Sequence, residues 1–365
     1  MNEHVDPAHS SDLATPALVI DGDVFDRNLA VMAAAHPGPA LRPHVKAHKC
    51  TSIAAAQASV GHLRFTCATP REVIGMAAAG LGHDLLLANE TVDAVRLRAM
   101  AGLDNPVTVA VDSDATLEAA VAAGIERVLI DVNVGLPRCG VAPDGAGRLA
   151  DLARSAGLEV RGVMGYEGHL MMVTDRAEQA DKVESAMALL RRAHADVGGD
   201  IVSAGGTGTF DLHEHTGVNE VQAGSYALMD THYGRLGLPF GQAVFVVGTV
   251  ISVGDRYAVA DVGLKALGMD HGDPDLVMDD GSSPSVWFCS DEHITFSTEG
   301  GSIDEDSSDG DSSDGGSTGS SAPVVGDRVK VVPAHVDPTM AMHEVAWVVR
   351  DDRVIDRWPI DLRGW

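Results

Sequence analysis

Lys46 stands between two imidazoles in Leu41-Arg-Pro-His-Val-Lys-Ala-His-Lys49, with His44 two residues before it and His48 two after. An amine in that company is a candidate catalytic group. Neighbouring cations and partial burial both penalise its ammonium form, and the neutral amine is a nucleophile toward carbonyl carbon. Taken by itself the stretch favours a solvated lysine at a strand end. Its chemical reading depends on what the rest of the chain supplies.

Two glycine-rich turns, Gly205-Gly-Thr-Gly-Thr209 and Gly224-Ser-Tyr226, offer backbone N–H groups to an anion, with Gly206, Thr207, Gly224 and Ser225 as the positions of closest approach. Tyrosine is scarce, and Tyr166 and Tyr226 both fall at expected strand ends. Packing explains either one, and a flat aromatic cofactor explains both. Arg138, in Asp131-Val-Asn-Val-Gly-Leu-Pro-Arg-Cys-Gly140, is a fixed cation able to neutralise a phenolate or carboxylate, although a surface ion pair fits its spacing nearly as well. Near the C-terminus, His335 and Asp337 alternate within Pro333-Ala-His-Val-Asp-Pro338. On a strand the two would share a face, and an imidazole with a carboxylate suits a hard to borderline divalent ion. Cys50, Cys67, Cys139 and Cys289 show no CxxC spacing, so neither a zinc knuckle nor a disulfide framework is signalled.

Strand-length apolar runs recur at 41–45, 64–67, 84–88, 107–111, 128–132, 160–164, 201–204 and 220–223, with Ala-rich amphipathic segments between them. Strand-helix alternation implies a parallel sheet, and this many repeats in so short a span favour an α/β fold of the (β/α)8 TIM-type barrel class over an open sheet. Such a barrel carries its active site at the C-terminal strand ends, which is where the candidates above fall. From about Pro239 the pattern changes to short runs rich in Val, Ile and Tyr, predicting a C-terminal mostly-β domain. The expected division is a barrel over 23–238 and a β domain over 10–22 and 239–365, in which the 15–21 strand joins the later ones. An acidic Ser/Gly/Asp insert over 297–323 has too little apolar area to fold and is expected to be a disordered loop. Its Asp-x-Asp spacing lacks the glycine and closing glutamate of a calcium loop.

A formal charge of -27, from 53 acidic and 26 basic residues, argues against nucleic acid and anionic membranes, which need a basic footprint. Abundant carboxylates and only five lysines suit a protein adapted to high salt, where screening relieves self-repulsion. No basic-then-apolar leader and no long apolar run is present, so a soluble cytoplasmic protein is expected.

A lysine, a phosphate cradle, tyrosines and an arginine around one barrel mouth describe a site for pyridoxal 5'-phosphate. On Arg42-Pro-His-Val-Lys-Ala-His-Lys49, Tyr166-Glu-Gly-His169, Gly205-Gly-Thr-Gly-Thr209, Glu220-Val-Gln-Ala-Gly-Ser-Tyr226, Asp291-Glu-His293 and Pro333-Ala-His-Val-Asp-Pro338, the chain resembles the fold type III pyridoxal phosphate enzymes of the alanine racemase-like barrel group. Within that group it is similar to the D-threonine aldolase and D-serine dehydratase family. The resemblance implies that Lys46 is the Schiff-base lysine and that the glycine turns with Tyr226 hold the phosphate. It also implies that His335 and Asp337 bind a metal beside the cofactor. Family members with His-x-Cys at the metal position are zinc dehydratases, and those with His-x-Asp are manganese or magnesium aldolases. Asp337 thus points to manganese or magnesium rather than zinc, and to retro-aldol cleavage of a β-hydroxy-D-amino acid into glycine and an aldehyde. β-Elimination to a 2-oxo acid and ammonia is the alternative at the same site. Racemisation fits less well, since the setting of Tyr257 matches no racemase motif, and a non-catalytic vitamin carrier would not need the β domain. His44, His48, His169 and His293 are the candidate bases or metal-orienting groups. A homodimer is implied by analogy.

Overall fold

The computed structural model describes residues 7–298 and 322–365. Most of the acidic insert, 299–321, lies outside the described residues. The first strand, β1 (Ala17–Asp21), runs into a helix over Gly22–Ala35. Seven strands then pair in parallel, each with the next: β2 (Arg64–Cys67), β3 (Asp84–Leu87), β4 (Val107–Val111), β5 (Arg127–Asp131), β6 (Glu159–Met164), β7 (Ile201–Ala204) and β8 (Glu220–Val221). Helices over Thr51–Ser59, Pro70–Ala78, Ala94–Ala101, Asp114–Ala123, Ala146–Ser155 and Arg176–Val197 alternate with them, as the amphipathic spacing predicts. Several start where a side chain satisfies the free N–H groups of the first turn. Thr69 and Glu72 form a reciprocal capping box, and Asp93 and Asp175 each accept two backbone N–H bonds.

The eighth stave differs from expectation. Residues 41–45 form no regular strand, yet Leu41 bridges Val221 of β8 and His44 bridges Thr66 of β2, both in parallel, so this segment closes the barrel. Pro43 accounts for the irregularity, because it has no N–H to give to a ladder; its carbonyl still accepts from Thr66 N at 2.9 Å.

Alternation along the strands divides the barrel core in two. Leu85, Leu87, Val109, Val111, Val128 and Ile130 face the helices, whereas Leu86, Ala110, Leu129, Met164 and Ile201 form a separate cluster inside the barrel.

Two compact units are present. The barrel unit comprises Phe25–Met229, Tyr233–Gly241 and Pro359–Trp365; the other takes the described chain up to Val24 with Asp230–His232 and Gln242–Trp358. The latter is a mixed sheet of β1 with β9 (Val244–Val253), β10 (Tyr257–Ala260), β11 (Asp275–Met278), β12 (Val286–Cys289), β13 (Ile294–Ser297), β14 (Arg328–Val332), β15 (Val345–Arg350) and β16 (Arg353–Pro359). β1 sits in its middle, antiparallel to β9 and parallel to β15. β11 and β13 are four residues each, β11 pairing with β14 and β13 with β10 and β12. No helix among the described residues is long and apolar enough to cross a membrane.

Candidate active site

Lys46 lies in a single 3-10 turn, Val45–Ala47, just beyond the irregular stave. It lines a cavity of about 170 Å³ with His44, Asn89, Arg138, Tyr166 and Gln222. All of these follow the C-terminal ends of barrel staves. Lys46 Nζ lies 5.9 Å from the centroid of the Tyr166 ring, and the Arg138 guanidinium lies 5.3 Å from the same centroid. The ring therefore attracts both cations and holds them at the cavity wall. His44 caps the Lys46 turn, its Nδ1 accepting the Lys46 backbone N–H at 3.4 Å. Burial, and then the charges of Lys46 and Lys49, hold this imidazole well below its usual pKa. With Nδ1 accepting that N–H, the proton of a neutral His44 ring sits on Nε2.

The two glycine turns meet each other. Tyr226 N donates to Thr207 Oγ1 at 3.0 Å, tying the turn after β8 to the turn after β7. The second turn also meets the lysine segment. A Cβ on Gly224 would lie 2.4 Å from the His44 carbonyl oxygen, so only glycine allows that approach. Gly206, Thr207, Gly224 and Ser225 are thus brought together, with Gly205 at φ +86° in the region that favours glycine.

Two expected site residues have fully buried side chains that do not line the cavity. The Tyr226 side chain is fully buried, its hydroxyl accepting from Gln57 Nε2 at 3.1 Å and its ring packing on Phe240 with centroids 5.7 Å apart. Burial raises its pKa, with the Gln57 bond partly opposing. His48 is also fully buried and does not line the cavity. Its Nδ1 accepts from Cys50 N at 3.2 Å, and burial lowers its pKa to about 4 against the smaller pull of Gln57. Both are supports behind the mouth. A sequence shows that such side chains are polar but not which way they turn.

In the sheet unit, His335 and Asp337 do not alternate on a strand as expected. His335 is the N-cap of a helix over Val336–Met342, and Asp337 lies in its first turn. Pro338, also in that turn, explains the difference, because the first helical N–H groups have no intrahelical acceptor and proline loses nothing there. His335 Nδ1 is hydrogen-bonded to both carboxylate oxygens of Asp270, at 2.9 and 2.8 Å. The His335 ring stacks on His271 with centroids 3.8 Å apart. Asp270, His271 and His335 present donor atoms all within 4.8 Å of one another. Burial and the neighbouring His335 lower the His271 pKa, which Asp270 and Asp337 partly counter, so neutral nitrogen donors are favoured. Imidazole and carboxylate donors suit a borderline divalent ion. Asp337 stands outside this trio. Asp270 and His271 are not legible in the sequence as partners of His335, because they lie more than sixty residues upstream in a loop without a metal spacing. His293 is exposed in the same unit, and His169 is exposed beside Gly135 of the barrel.

Residues 20–238 match the alanine racemase N-terminal domain family, and residues 243–349 match the putative serine dehydratase domain. The D-threonine aldolase of an Arthrobacter species is 35% identical, over 96% of this chain and 93% of its own. The chain belongs to the D-threonine aldolase and D-serine dehydratase family of fold type III pyridoxal phosphate enzymes. Within that family, the crystal structure of D-threonine aldolase from Filomicrobium marinum superposes with a TM-score of 0.85 at 33% identity, covering 98% of both chains. The D-threo-3-hydroxyaspartate dehydratase of Delftia sp. strain HT23 is 33% identical over 71% of this chain and 74% of its own. The protein is accordingly a pyridoxal phosphate-dependent lyase. The cavity residues fit that cofactor: a primary amine, an aromatic wall, a guanidinium, and glycines where a side chain would fill the turns.

The family motifs do not explain why Gln222 points as it does. Gln222 Nε2 donates to Ser203 Oγ at 2.9 Å, and Ser203 Oγ donates to Glu220 Oε1 at 2.9 Å. Glu220 Oε1 also faces Arg42 Nε at 2.9 Å, and Arg42 Nη2 pairs with Asp84 at 3.0 Å. This buried network fills the barrel beneath the cavity. A buried Arg with two carboxylates is detectable only once the strands are assembled.

Proposed function

We propose that this lyase cleaves a β-hydroxy-D-amino acid of the D-threonine type to glycine and an aldehyde, using pyridoxal 5'-phosphate and a divalent ion, manganese or magnesium rather than zinc. What carries the reading is the donor chemistry around His335, which consists of imidazoles and carboxylates with no thiolate, in a relative of named aldolases. Pyridoxal phosphate, held by Lys46 and by the turns at Gly206–Thr207 and Gly224–Ser225, supplies an electron sink for the carbanion left when the Cα–Cβ bond breaks. His335, with His271 and Asp337, would hold the ion, whose Lewis acidity lowers the pKa of the β-hydroxyl.

The other roles belong to the chain itself. Asp270 fixes the His335 ring through Nδ1, leaving Nε2 as the metal-facing nitrogen, a common arrangement behind histidine ligands. Arg138, held on the Tyr166 face, offers a permanent charge to a carboxylate or phenolate. His44, which lines the cavity, would offer an Nε2 proton to a group bound there. Lys46, which lines the cavity, would supply an amine able to move a proton at the substrate's Cα.

The second reading is β-elimination to a 2-oxo acid and ammonia, favoured by the similarity to the Delftia dehydratase. A cytoplasmic homodimer is the expected state of either enzyme.

The test is metal dependence. Protein stripped with chelator and given D-threonine should be inactive, regaining aldehyde production with manganese or magnesium. His335→Ala should need a far higher metal concentration, on the order of ten- to a hundredfold for loss of a ligand or its support. Full activity in chelator would contradict the proposal.

A further inference from the structure

We propose that Glu167 is a positioning residue that, with Thr209 and His213, sets the Gly205–Thr209 turn for the cofactor's phosphate, an inference that rests on reading that turn as the phosphate site. Glu167 follows Tyr166 directly and is fully buried. Its carboxylate grips the turn at both ends: Oε2 accepts Gly205 N–H at 3.2 Å, and Oε1 accepts the Thr209 hydroxyl at 2.7 Å. The same Oε1 lies 3.2 Å from Nε2 of His213, which is also buried. Thr209 Oγ1 in turn accepts Gly206 N–H at 3.3 Å. The fit is close, since a Cβ on Gly205 would lie 2.8 Å from His213 Nε2.

A carboxylate buried without partners would cost several kcal/mol, so this one is held in place by its donors. Burial pushes its pKa up, but His213 and the Thr209 hydroxyl outweigh that and keep it below the ordinary value, so the group is ionised. An anion next to a phosphate site is tolerable only if its charge is already engaged, and here two hydrogen bonds and an imidazole engage it. Between the tethered ends lie Gly206, Thr207 and Gly208, and Thr207 also receives the second glycine turn. Releasing Glu167 would therefore loosen the segment that must converge on the phosphate.

The experiment compares two ligands of the whole apoprotein, pyridoxal 5'-phosphate and pyridoxal, which lacks only the phosphate, each followed by visible absorbance. Glu167→Gln and Thr209→Val should raise the apparent Kd for pyridoxal phosphate by about tenfold or more, a loss of roughly 1.4 kcal/mol, with pyridoxal nearly unchanged. Thr209→Ser, which keeps the hydroxyl, should behave as wild type. Equal weakening of both ligands, or an unchanged ratio between them, would overturn the proposal by reducing Glu167 to a core residue. Should Glu167→Gln fail to fold, the Thr209→Val and Thr209→Ser pair decides by the same ratio. A wild type with no preference for the phosphorylated ligand would remove the phosphate-site reading itself, a result distinct from a variant that merely keeps the preference.

Discussion

Asp131 ends β5 with its carboxyl inside the barrel, beside Glu90. Burial, then the charge and hydrogen bond of Glu90, push its pKa from 3.8 to about 8. The folded protein thus binds a proton that the unfolded chain has released throughout that window. Stability from this group is greatest below the unfolded value and falls as pH rises toward 8. Asp131→Asn keeps the shape without the charge. It should raise the melting temperature at pH 8 while leaving it nearly unchanged at pH 4, as measured by thermal unfolding across that range. Lys46 is the other residue that decides the account, and Lys46→Ala should abolish turnover while leaving the fold intact by circular dichroism. The sequence singles out Lys46 as a candidate because its neighbours are close in the chain. The burial of the Tyr226 and His48 side chains is not legible in the sequence, because it depends on packing against Gln57 and Phe240, which come from other elements.

At the scale of elements, the site depends on the contact between the lysine segment and the turn after β8. Gly224→Ala would press a methyl group against the His44 carbonyl. Overpacking of this kind typically costs about 1–3 kcal/mol, so the variant should melt lower and bind cofactor more weakly, both measurable on the same preparation. The Arg42 network beneath is more sensitive. Arg42→Met leaves Glu220 and Asp84 as buried carboxylates short of a partner, and the expected loss is about 3–5 kcal/mol by urea unfolding. The helix over Thr51–Ser59 shows a further dependence between distant segments. Its N-cap, Cys50, gives no side-chain bond, and Asp361 instead accepts Thr51 N–H at 3.0 Å. The strand-helix alternation was visible because the barrel repeats one pattern, whereas the helix at His335 was hidden by a His-x-Asp-x spacing that also reads as a strand.

For the whole molecule, composition carries a testable consequence. A formal charge of -27 spread over 365 residues opposes compactness in dilute buffer, and counterions screen it. The melting temperature should rise from dilute buffer to molar potassium chloride; a flat or falling curve would show that the acidic surface is not a salt adaptation. The central claim concerns which bond breaks, and product analysis tests it most directly. Purified protein with pyridoxal phosphate and manganese is given D-threonine and D-serine separately, with and without chelator. Glycine and acetaldehyde from D-threonine, lost on chelation, is the predicted result. Ammonia with 2-oxobutyrate or pyruvate would contradict it and make the enzyme a dehydratase.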